Sequence, residues 1–89
     1  MALSIKEQIT DLLSLPKEVV LNLPQIVLTG NGEVNIENYK SIIEYTENRI
    51  RVNTSSGILL IEGYGLTLGQ ITAEYVTATG TIVKLEYLR

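Results

Sequence analysis

Among the 89 residues there is no cysteine and no histidine, and neither tryptophan nor phenylalanine. Without cysteine there are no disulfides and no thiolate nucleophiles. Without histidine there is no imidazole base, and the usual zinc and haem ligands are missing with the two together. Much of enzymology goes with them, so no catalytic, cofactor or metal residue is assigned. Positive charge is scarce as well. Seven Lys and Arg against ten Asp and Glu leave a net charge of −3, which gives little with which to neutralise phosphate, and no nucleic-acid partner is expected. Long apolar runs are also missing. The longest clean one is Ile58 to Ile61, far short of the ~20 residues that span a bilayer. The first residues carry Glu7 and Asp11 where a signal peptide has a basic region and an unbroken apolar stretch, so the chain is expected to be soluble and cytoplasmic. Asn53-Thr54-Ser55 matches a glycosylation sequon, which has no consequence without a secretory route.

What is present is apolar material for one domain: 45% hydrophobic residues in a chain too short for two. A chain of this mass buries only roughly 64% of its unfolded surface, so the core is thin. Ser4 and Glu7 form a capping box, and Ile5, Ile9, Leu12 and Leu13 recur at helical spacing, which predicts an amphipathic helix over residues 4–14 that stops before Pro16. Its polar face has one Lys against two acids, so a protein surface is a better dock for it than lipid. Residues 1–17 are read as this helix and a linker, and residues 18–89 as a β domain.

From Glu18 onward the hydrophobic period is two, and turn residues arrive about every eight positions. The strands expected are Val19 to Asn22, Gln25 to Thr29, Glu33 to Glu37, Ile42 to Thr46, Arg49 to Asn53, Ile58 to Glu62, Leu66 to Leu68, Thr72 to Ala78 and Thr81 to Leu88. Between them lie Leu23-Pro24, Gly30-Asn31-Gly32, Glu47-Asn48, Thr54-Ser55-Ser56-Gly57, Gly63-Tyr64-Gly65 and Thr79-Gly80, connections that suit hairpins. Alternation puts Ile50 with Val52, Val34 with Ile36, and Val83 with Leu85 and Tyr87 on faces that share a core. Ile58-Leu59-Leu60-Ile61 is apolar on both faces, which needs either cover on both sides or a second molecule. The fold class is therefore all-β: an antiparallel meander or small sandwich or roll of about eight or nine short strands with one N-terminal helix. Recurrent glycines after short apolar strands keep a short β-solenoid as the alternative.

The remaining candidates for chemistry are acids. Glu62 ends a strand before Gly63, and Glu37 sits with Asn38 and Tyr39 between two strands. Carboxylates at strand ends discourage unwanted edge pairing, and that reading is preferred to a catalytic one. Gly63-x-Gly65-x-x-x-Gly69 lacks the spacing of a dinucleotide fingerprint. The five tyrosines are interleaved with Glu37, Glu44, Glu74 and Glu86, which suits packing with a wet hydroxyl better than a platform for single-stranded nucleic acid.

The run from Leu15-Pro16-Lys17-Glu18 to Leu23-Pro24, then Leu28-Thr29-Gly30, Ile36-Glu37-Asn38-Tyr39-Lys40, Ile43-Glu44-Tyr45, Ile50-Arg51-Val52-Asn53, Leu60-Ile61-Glu62-Gly63, Leu66 and Gly80-Thr81-Ile82, resembles the YabP/YqfC family of endospore-formation proteins, its YqfC branch in particular. The stretch from Ile36 to Thr54 is the specific part. The resemblance implies a small mother-cell protein of spore-forming Firmicutes, needed for development or outer-layer assembly of the spore, with no established enzymatic activity. It implies turn and packing roles for Pro24, Gly30, Glu37, Asn38, Tyr39, Gly63 and Gly80. The expected function is a non-enzymatic interaction module that binds copies of itself, as a homo-oligomer, or a protein partner at the forespore. Its candidate surface is Ile5, Ile9, Leu12, Leu13, Leu59 and Leu60. The alternative is an adaptor recruited through the N-terminal helix to a membrane-embedded sporulation protein.

Overall fold

A computed structural model describes residues 23–88. They form one six-stranded antiparallel sheet from β1 (Gln25–Thr29), β2 (Glu33–Glu37), β3 (Tyr39–Tyr45), β4 (Arg49–Thr54), β5 (Gly57–Gly69) and β6 (Tyr75–Leu88), in spatial order β1-β2-β6-β5-β4-β3. Strands β3 to β6 are a meander, and the β1–β2 hairpin is added along the first half of β6. Every pairing is antiparallel. A solenoid stacks its coils in parallel, so that alternative is overturned. The expected helix over residues 4–14 and strand over residues 19–22 lie outside the described residues.

Strands β1 and β2 keep the bounds that alternation predicts, and the Gly30-Asn31-Gly32 turn joins them, with Gly30 at φ 54° and the Gly32 N–H donating to the Thr29 carbonyl at 3.2 Å. Two other expected turns do not reverse the chain. Gly63-Tyr64-Gly65 and Thr79-Gly80 lie inside β5 and β6, which run for 13 and 14 residues, so two pairs of expected strands merge and the described residues form six strands where eight of the expected ones fall. The reason is close approach. A Cβ on Gly63 would stand 1.9 Å from the Thr81 carbonyl oxygen, and one on Gly80, at φ +135°, 2.7 Å from the Gly65 oxygen. These glycines let two backbones touch where the ladder shifts register, between Glu62 and Gly63 and between Tyr64 and Thr67.

The consequence is a rolled sheet. With β6 and β5 between them, and set against opposite ends of that strand pair, β2 and β4 would be well over about 14 Å apart in a flat sheet. Yet Val34 and Ile36 of β2 and Ile50 and Val52 of β4 belong to one buried cluster with Leu59, Ile61, Leu66, Val76, Ala78 and Ile82. The bend in β5 and β6 brings both halves of one face onto the same core. Val83 is a correction to the expected pattern. Lys84 stands opposite Glu62 and Ile82 opposite Gly63, so Val83 is the extra residue of a bulge. Ile82 takes the core position, and Val83 is left 65% exposed.

Threonines hold three of the turns. Thr46 Oγ1 accepts from the Arg49 N–H at 2.9 Å, and Thr72 Oγ1 accepts from the Tyr75 N–H at 3.0 Å. Thr54 Oγ1 accepts from the Ser56 N–H and donates to the Gly57 carbonyl at 2.7 Å. Asn38 alone separates β2 from β3. It adopts φ 61°, its N–H donates to the Glu74 carbonyl at 2.7 Å, and its Nδ2 donates to the Leu23 carbonyl at 3.0 Å.

Candidate interaction surface

The sheet face opposite the core is mixed over β3 to β6: Ser41, Asn53, Ile58 and Leu88 form a half-apolar row, and the next two rows are mostly charged. Register sets Glu44, Arg51, Leu60 and Glu86 in one row, and Arg49, Glu62 and Lys84 in the next. Arg51 pairs with Glu44 at 2.7 Å, Arg49 with Glu62 at 3.2 Å, and Lys84 with Glu86 at 3.0 Å. Glu86, helped by Glu62, raises the Lys84 amine above its ordinary value. Three cations therefore face three anions, and this face carries no net charge to attract a charged partner.

The residues expected to form an apolar surface fall in different places. Leu59 is 1% exposed and belongs to the core. Leu60 points to the opposite face, between Arg51 and Glu86, and is 6% exposed. Neither offers a greasy surface, because the rolled sheet takes in Leu59 and long charged neighbours flank Leu60. Ile5, Ile9, Leu12 and Leu13 lie outside the described residues.

The two acids weighed for catalysis are not brought together. Glu37 stands opposite Tyr75 and Glu62 opposite Lys84, at separate places along β6. Glu62 lines a shallow notch of about 270 Å³ with Asn48, Gly63, Tyr64 and Val83. Asn48 builds that notch: its Nδ2 donates to the Gly63 carbonyl, and its carbonyl accepts from the Gly63 N–H, both at 3.1 Å. Among the described residues no three acids gather in a group that could hold a metal ion. Asn38 and Tyr39, by contrast, do work together. The Tyr39 hydroxyl donates to the Thr72 carbonyl at 2.6 Å, in the same turn as the Glu74 carbonyl that accepts from the Asn38 N–H. Pro24 leads into β1.

The two edges of the sheet differ. On β3, Lys40 and Glu44 carry charge and the register against β4 is irregular twice. Side chains also bridge from β3: Tyr39 to Thr72, and Tyr45, whose hydroxyl accepts from the Leu68 N–H at 3.2 Å. Charge, irregularity and cover are the devices that stop an edge from recruiting another strand. On β1 none of them is present among the described residues. Its sequence Gln25-Ile26-Val27-Leu28-Thr29 has no charge, pairs with β2 without irregularity, and leaves Val27 and Leu28 48% and 47% exposed on opposite faces. Leu23, just before it, is exposed too. Beside Val27 on the outer face, Asn35 of β2 keeps its Oδ1 buried without a hydrogen-bond partner.

The bare β1 edge is not legible in the sequence, and of the threonine turns the sequence marks Glu47-Asn48 and Thr54-Ser55-Ser56-Gly57 as turns but places Thr72 in a strand. The turns had a signal, a threonine at the start of Thr46-Glu47-Asn48-Arg49, Thr54-Ser55-Ser56-Gly57 and Thr72-Ala73-Glu74-Tyr75. The edge had none, because strand order is not local.

A small antiparallel β domain, rolled about one aliphatic core and with an edge strand left bare among the described residues, is the class of protein that these features define. The chain belongs to the YabP family, whose family model matches residues 22–89. It is 29% identical over 84 residues to the uncharacterized protein YqfC of Bacillus subtilis (strain 168), an alignment that covers 94% of this chain and 90% of that protein. Family membership suggests a sporulation-related protein. Among the described residues no helix is long and apolar enough to cross a membrane.

Proposed function

We propose that this chain is a non-enzymatic, sporulation-related assembly or interaction module of the mother cell, acting at the developing forespore or its outer layers. The observation that carries this reading is the β1 edge, uncharged and, among the described residues, uncovered, with Val27 and Leu28 half exposed. Proteins that work alone guard such an edge, and among the described residues the guards lie on the opposite one. Family membership supports the sporulation part. The test is complementation of a spore-forming host that lacks its own copy. Glu37→Gln with Glu62→Gln should restore spore formation, and Val27→Lys, folded, should not. Loss of function in a folded carboxylate variant would refute the reading in favour of chemistry.

The second reading, favoured by the helical spacing of Ile5, Ile9, Leu12 and Leu13, is an adaptor recruited through that segment to a membrane-embedded sporulation protein. Deleting residues 1–14 should then abolish recruitment to the forespore membrane and leave a folded β domain. Unchanged localisation would remove this reading.

A further inference from the structure

We infer that the occupant of the β1 edge is β1 of a second copy of this chain, paired antiparallel about a two-fold axis through Val27; this rests on the interaction-module reading and names its partner. The argument is one of register. In an antiparallel pair, directly opposed residues point to the same face, so a slip by one residue would join the core face of one copy to the outer face of the other. Ile26 and Leu28 lie on the core face, in register with Ile36 and Val34, and Val27 lies on the outer face with Asn35. Pairings that keep the faces continuous are centred on Ile26, Val27 or Leu28. Centring on Ile26 draws in Pro24, which has no N–H to donate, and centring on Leu28 draws in Gly30, which at φ 54° has already left the strand.

Only the Val27-centred register uses all five residues. It sets Val27 against the partner's Val27, Ile26 against the partner's Leu28, and Gln25 against the partner's Thr29. No like charges oppose one another, because the strand carries none. The nearest charges are Glu33 and Glu37 on β2, opposite Thr29 and Gln25. Each is one strand further out, so Glu37 faces the partner's Glu33 across about 14 Å, beyond the screening length at physiological salt. The rows Ile26–Ile36–Val76 and Leu28–Val34–Ala78 then run on into the partner's rows, and half-exposed Leu28 gains the partner's Ile26 as a neighbour. Such an interface is isologous and closes at two copies, giving one continuous sheet of two rolled halves. Five residue pairs bury less than a standard interface does, so the dimer forms reversibly and with concentration.

The experiment uses the full chain. Its mass by sedimentation should move from one chain to two as concentration rises, and Val27→Lys should hold it at one with an unchanged circular dichroism spectrum. The chain has no cysteine, so Val27→Cys places a single thiol at the axis. A short bismaleimide should cross-link Val27→Cys far faster than Val83→Cys, a still more exposed control on the far bulge. A single-chain mass at every concentration, a dimer that survives Val27→Lys, or equal cross-linking of the two thiols would overturn the inference. If the wild type stays monomeric while Val27→Lys abolishes spore formation, the second-copy partner falls and the interaction module stands. If the dimer forms and Val27→Lys cells sporulate normally, the dimer stands and the functional reading falls.

Discussion

Replacing Gly63 by alanine adds one methyl group at the point where the two long strands cross closest. The new Cβ would lie 1.9 Å from the Thr81 oxygen, 2.9 Å from its carbonyl carbon and 3.1 Å from the Ile82 Cα. All three are backbone atoms, so no side chain can swing away, and reaching even 3.0 Å from the oxygen requires an opening of about 1.1 Å. An opening of that size is shared between the strands: as β6 moves the bend that rolls the sheet opens, and as Gly63 moves its two 3.1 Å hydrogen bonds with Asn48 are pulled apart. Overpacking of this kind costs about 1–3 kcal/mol, and two lost hydrogen bonds about 1 kcal/mol each, so the variant should lose roughly 3–5 kcal/mol. A domain of this length has roughly 4–13 kcal/mol in all, which makes the loss close to unfolding. Thermal melting followed by circular dichroism should show a drop of about 12 °C or more. Gly69→Ala is the control, since no atom lies within 4 Å of the Cβ it would add. It should stay within about 0.5 kcal/mol of the parent. A Gly63→Ala protein that melts within about 1 kcal/mol of the parent would refute the close-approach account of the bend.

Other positions test other parts of the structure. Asn38→Gly keeps the left-handed backbone and loses the bond to the Leu23 carbonyl, whereas Asn38→Ala loses both; urea unfolding should find alanine worse than glycine by about 1 kcal/mol. Asn35→Val removes a buried oxygen that has no partner and should be neutral or stabilising, by up to about 1–2 kcal/mol in the same assay. Leu59→Ala should cost about 2–5 kcal/mol, and Val83→Thr, on the exposed bulge, less than about 0.5 kcal/mol. The Lys84 amine, raised by the hydrogen bond and charge of Glu86, should titrate above 10.5 by NMR and fall back towards it in Glu86→Gln. Since its folded value lies above the unfolded one, the pair's contribution to stability is present below the unfolded value and is lost as pH rises through the folded one.

Much of this architecture is legible along the chain, and particular residues show where legibility ends. Val34 and Ile36 alternate with Glu33, Asn35 and Glu37, and Ile50 and Val52 with Arg49, Arg51 and Asn53. Those positions all turn their apolar members to the core. Gly30 marks a reversal as its neighbours suggest. Gly63 and Gly80 look the same in sequence and do something else, because a glycine that lets the chain turn and one that lets two backbones touch leave the same letter. The bare edge among the described residues was hidden for a related reason. Ile58 to Ile61 is the greasiest run, but a central strand of a rolled sheet has neighbours for both faces, while the modest Gln25–Thr29 strand ends at the border.

Local chemistry alone determined that this is an antiparallel β protein without histidine or cysteine chemistry, since period, turn residues and composition act over a few neighbours at a time. Strand order, the roll, the burial of Leu59 and the bare edge of β1 were decided only by tertiary structure. They depend on which distant segments pair, and that is set by how the whole apolar set can be enclosed at once.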